Sequence, residues 1–173
     1  MATSLYDLSV TNYLQTLGGM EGFLSRGLTH FQENKIDPNE VVETRLHPDM
    51  LPFRFQVLAA AHHSIGAMRG VKAGLFTPPA QLPPLDYAGL QKAVTEAREA
   101  LQQLAPADVN VLEGKDVTFQ IRDTKIPFTA EGFIQSFSLP NFYFHATTAY
   151  DILRSKGVPL GKRDFLGRMR LKT

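Results

Sequence analysis

LPNFYFHATTAYDILRSKGVPLGKRDFLG, residues 139–167, reads as a helix with a marked start and stop. Pro140 suits a first turn, where no backbone N–H is needed, and Gly157 suits the residue that ends the helix. The spacing predicts a last long helix over 141–155. Phe142, Tyr143 and Phe144 crowd His145 in the chain. On a helix its face is shared by Asn141, Thr148, Ala149 and Ile152, which are small or apolar and include no carboxylate. A neutral imidazole so placed needs a hydrogen-bond partner, which Asn141, Thr148 or a tyrosine from another helix would supply. The tail is expected to fold back, with Phe165 and Leu166 in a groove and Asp164 beside a base. Arg168, Arg170 and Lys172 read as a solvated basic end.

Working outward, residues 4–33 carry Leu5, Leu8, Tyr13, Leu17, Met20 and Phe23 at mostly three- and four-residue spacing, which predicts one long helix. Gly18-Gly19 is where it is expected to bend. A short helix from Asn39-Glu40 to Glu43 follows, then a loop at RLHPDMLPF. A second long helix is predicted over 53–71 and a third over 87–104, with the proline-rich 74–86 as an extended connection. KDVTFQIRDTKIPFT then alternates with period two, giving a hairpin at about 115–128, and Thr129 caps a short helix to Phe137. The fold class is therefore all-α: four long helices in one domain, 1–173, with a small β-hairpin between the third and the last.

The 173 residues hold 18 basic and 17 acidic side chains, a formal charge of +1. That balance offers no basic face for nucleic acid, and no apolar run reaches the roughly 18 residues of a membrane span. The start, MATSLYDLSVTNYL, lacks the basic and apolar blocks of a secretory signal, so a cytoplasmic location is expected. With no cysteine there is no thiol nucleophile and no thiolate ligand.

The chemistry falls to histidines and tyrosines. His62 and His63 stand about 100° apart on a helix, so only one faces inward, and the stripe of Phe55, Leu58 and Ile65 selects His62. His62 and His145, with Asn141 and Tyr143, are the expected walls of a pocket between helices. His145 with Tyr150 is the candidate pair for acid–base work without a cofactor. If a metal binds, His62, His63 and His145 are its candidate ligands, although a catalytic zinc site usually has three well-placed protein ligands. His30 reads as a polar residue near a helix end and His47 as a loop residue.

The pattern PNFYFH…AYDILR…G…GKRDFLG, with HPDMLPFRFQV upstream, resembles along the whole chain the family catalogued as domain of unknown function 1993. That family is similar to the DinB-like superfamily of four-helix bundles, which are often dimers. The superfamily includes metal-dependent thiol transferases and a thiol-dependent isomerase with a three-histidine site. One histidine lies on the second helix and two form an HxxxH on the last. His62 or His63 matches the first and His145 the second, but Ala149 stands where the third would be. Bacterial members carry an acidic residue near His62 and a lysine near Ile65, and this chain has neither. The resemblance therefore implies the fold and a homodimer more than a reaction. Three functions are expected in order: a small-organic-molecule-binding protein or cofactor-independent enzyme, a metal-dependent transferase or hydrolase using a divalent ion, and a non-catalytic dimer.

Overall fold

Helix formation starts at Ser4, whose side chain accepts a hydrogen bond from the Asp7 amide and caps α1, Leu5–Leu8. The structure, a computed structural model, describes residues 3–79 and 82–172. The long first helix is interrupted at Ser9, and α2 then runs over Val10–Glu33. The interruption is not at Gly18-Gly19, through which α2 continues. Gly19 serves a close approach instead: a Cβ there would stand 2.5 Å from the Phe165 carbonyl oxygen. Gly27 does the same for Tyr87, whose hydroxyl donates to the Leu24 carbonyl at 2.8 Å.

Asp37 caps a 3₁₀ turn at Pro38–Val41, which ends before the Glu43 expected for the short helix there. The second long stretch comprises α3, Phe53–Ala61, a π turn at His62–Gly66, and α4, Ala67–Ala73. Gly74, at φ 73°, ends it in the left-handed conformation that glycine adopts without strain. The connection that follows is more than a loop. Its first residues form β1, Leu75–Phe76, before Asp86 caps α5, Tyr87–Gln102. A short α6, Pro106–Asn110, follows.

The hairpin is β2, Asp116–Ile121, and β3, Thr124–Thr129, paired antiparallel with Val117 opposite Phe128. β1 adds to β2 in parallel, Phe76 opposite Phe119, so the described residues form a three-stranded sheet in the order β1-β2-β3. The local alternation of 117–121 announces the hairpin. Two residues are too few to announce β1.

Thr129 caps α7, Ala130–Phe133, which passes through a second π turn, Ile134–Ser138, into α8, Leu139–Ser155. The last helix thus has no free start at Pro140. Proline lacks an N–H and its ring crowds the preceding turn, and a wider turn just before it relieves both. Gly157, at φ 86°, follows the end of α8. The tail folds back as expected: α9, Lys162–Leu166, lies on α2, with Arg26 Nη1 2.6 Å from Asp164 Oδ1. Arg170 is held rather than loose, donating to Thr11 Oγ1 and Asn12 Oδ1.

The chain is thus mostly helical, with a small sheet at one side. α3 packs on α8 and α2 on α5 around a shared core that includes Tyr13, Phe23, Phe53, Leu90, Phe133 and Phe142. Burying each such side chain stabilises the fold by roughly 1.5–3 kcal/mol. Among the described residues, no helix is long and apolar enough to cross a membrane.

Candidate functional site

The two π turns face each other and define the site. In each, the amide after the turn reaches back five residues, Ala67 to the His62 carbonyl and Leu139 to the Ile134 carbonyl. Buried Ser138 ties them together: its hydroxyl donates to the His63 carbonyl at 2.6 Å and lies 2.8 Å from the Tyr13 hydroxyl. Between these turns and β1 lies a cavity of about 330 Å³. Its apolar walls include Phe55, Phe76, Phe119, Phe137 and Leu82, and its polar walls are His62, His63, Asn141 and His145.

Both adjacent histidines reach the cavity, against the expectation that only His62 would. The widened turn changes the angular step between them, and β1 wraps over the outer one. His62 donates Nε2–H to the Thr77 carbonyl at 2.9 Å and packs on Phe76, ring centres 4.7 Å apart. Its Nδ1 lies against Gly66, where a Cβ would stand 3.0 Å away. His63 instead stacks on His145, ring centres 5.8 Å apart and planes 24° from parallel.

His145 takes its partner from α3, not from its own helix or a tyrosine. Its Nδ1 is 2.8 Å from Gln56 Oε1. The Gln56 amide nitrogen donates to the Leu51 carbonyl, so Oε1 is left to accept. The proton of neutral His145 therefore sits on Nδ1, and the lone pair on Nε2. No hydrogen bond to Nε2 is made among the described residues. Burial pushes His145 down to about 4, and burial with repulsion from His145 and His62 pushes His63 down to about 3. His62 is also lowered, by burial. At neutral pH all three rings are uncharged. His63 Nδ1 is buried and has no hydrogen-bond partner among the described residues.

Asn141 lines the cavity and donates to the Phe137 carbonyl at 2.7 Å. The tyrosines expected at the pocket stand elsewhere. Tyr143 lies two residues before His145 and Tyr150 five after, turns of about 160° and 140° away on a helix. Tyr150 packs between Phe23 and Phe165, and Tyr143 is an exposed ring beside Phe142. His30 lies near the end of α2 beside Asn34, and His47 pairs with Asp49 in the loop.

His62, His63 and His145 come together, yet they do not fit a metal ion. The rings of His63 and His145 lie near-parallel, their planes 24° apart. His62 Nε2 is committed to Thr77, and Ala149 is buried where the third histidine of an HxxxH would stand. Among the described residues, no three of His, Asp and Glu are grouped to hold an ion.

Gln56 was not legible as a site residue, although it carried a signal: a lone amide in the apolar run FRFQVLAAA requires buried partners.

The mostly helical architecture is DinB-like, as its similarity to a solved DinB family member shows. The family model described as domain of unknown function (DUF1993) matches residues 5–166, and the chain belongs to that family. The crystal structure of a DinB family member protein from Shewanella denitrificans is similar, with a TM-score of 0.81 and 26% identity. The match covers 98% of this chain and 95% of that one. No curated protein matches the chain.

Proposed function

We propose that the chain is a small-molecule-binding four-helix bundle of the DinB-like kind, and that its cavity takes a small planar, largely apolar molecule bearing one hydrogen-bond donor. The observation that carries this reading is an open acceptor, His145 Nε2, whose ring is fixed by Gln56, in a cavity walled mainly by phenylalanines and uncharged imidazoles. Pockets between bundle helices with a few convergent polar groups are common ligand sites. A ligand donor satisfies Nε2, and the aromatic walls supply flat contact area.

Binding is favoured over acid–base catalysis. A catalytic base works best with a pKa near the working pH, and His145 is held at about 4. Such a ring accepts a hydrogen bond well and keeps a proton poorly. The reading uses no metal, because no three of His, Asp and Glu are grouped to hold one among the described residues.

Calorimetric titration with phenol and with toluene tests the proposal. Phenol is expected to bind more tightly, with the difference lost in His145→Phe, since a site built to pair a donor discriminates against the analogue that lacks it. Phenol and toluene binding alike, or phenol binding undiminished in His145→Phe, would sink the proposal.

A further inference from the structure

The cavity has a neighbour on the far side of Phe55. Its walls at Phe55, Pro78, Pro79 and Leu82 are shared with an outer groove of about 390 Å³, whose remaining lining includes Arg45 and Arg54. Neither guanidinium is fully occupied. Arg45 donates from Nη1 to the Met50 carbonyl and has no carboxylate partner among the described residues. Arg54 spends only Nε on Glu43, at 2.8 Å. The first amides of α3 are spent on backbone, Phe53 N–H on the Thr44 carbonyl and Arg54 N–H on the Val42 carbonyl, so α3 adds there only the positive end of its dipole. Against these stand Glu43, which Arg54 already engages, and Asp49, which pairs with His47. No acidic side chain lines the outer groove among the described residues.

We infer that the ligand is an organic acid, its apolar body in the inner cavity and its carboxylate at Arg45 and Arg54. This rests on the binding reading above and gives it a ligand class. At about 30 Å³ per water-sized unit, the inner cavity has room for on the order of ten non-hydrogen atoms. That is an aromatic ring with a short linker. The linker passes between Phe55 and the Pro78-Pro79 segment, and guanidinium groups bind carboxylates through paired N–H donors.

The test is calorimetric titration of the full chain with 3-phenylpropionate and with its neutral amide, in the wild type and two double variants. In the wild type the acid should bind about threefold to tenfold more tightly than the amide at low salt, the scale of a partly exposed Arg–carboxylate contact. Rising salt should shrink that preference. Arg45→Gln/Arg54→Gln should abolish it without weakening the amide, and Arg45→Lys/Arg54→Lys should keep most of it. Equal binding of acid and amide in the wild type overturns the inference and leaves the pocket reading standing. A preference that survives in the glutamine variant also overturns it. If neither probe binds, and phenol does not either, both the inference and the pocket reading fall.

Discussion

Replacing His63 with phenylalanine should leave stability near that of the wild type at about pH 8 and raise it above the wild type at about pH 5. The folded imidazole has a pKa of about 3 against an ordinary value of 6.5. Between those values the unfolded chain binds a proton that the folded chain refuses. The stability tied to the neutral ring is therefore fully present above 6.5 and is lost as the pH falls through the window toward 3. At about pH 5 the loss is set by the roughly 1.5 units separating the assay from 6.5. At about 1.36 kcal/mol per unit this is roughly 2 kcal/mol, whatever the folded value below that pH. Phenylalanine does not titrate, and it abandons no hydrogen bond, because His63 Nδ1 has none among the described residues. The adjoining cavity accepts the slightly larger ring. His63→Phe should thus match the wild type within about 1 kcal/mol at about pH 8, and exceed it by roughly 2 kcal/mol at about pH 5. Urea unfolding followed by circular dichroism measures both, with m-values compared to confirm that the same surface is exposed. The Asp164 carboxyl, held below its ordinary value by the Gly161 amide and by Arg26, is common to both proteins and cancels in the comparison. If the variant tracks the wild type at both pH values, or is the weaker at about pH 5, the ring is not held neutral and the account of the cavity is wrong.

Gln56→Leu should destabilise the fold by about 1–3 kcal/mol, because it strips the partner from His145 Nδ1–H and from the Leu51 carbonyl together. Unchanged urea unfolding would show that the amide does not hold the ring. Gly19→Ala should also destabilise, although alanine is favoured over glycine by about 1 kcal/mol in an exposed helix interior, because its Cβ meets the Phe165 carbonyl. Faster proteolysis within 162–166, with a lower melting temperature, is the expected result; a stabilised, protease-resistant variant would contradict the packing of α9 on α2.

Periodicity made the long helices legible, because apolar side chains at three- and four-residue spacing have one face to bury. The hairpin was legible from its alternation, and the stop at Gly157 from its residue type. The site was legible in part. His62, Asn141 and His145 do line one cavity, since each lies on a helix whose inward face the pattern marks. His63, Gln56 and the displaced tyrosines were not. A reading at a fixed 100° per residue sends His63 away from His62, and only the widened turn brings both to the cavity. The pairing of Gln56 with His145 depends on how α3 packs against α8, which neither helix records alone. Two local features accompany the irregular turns without announcing them: Pro140, which reads as a helix start, and Gly66, four residues after His62, where a side chain would strike the imidazole.

A π turn is an α-turn holding one residue too many. Deleting one residue from 62–66 and one from 134–138 would restore ordinary α-turn spacing to both stretches. The cavity is in that sense an insertion of two codons into an ordinary helical scaffold.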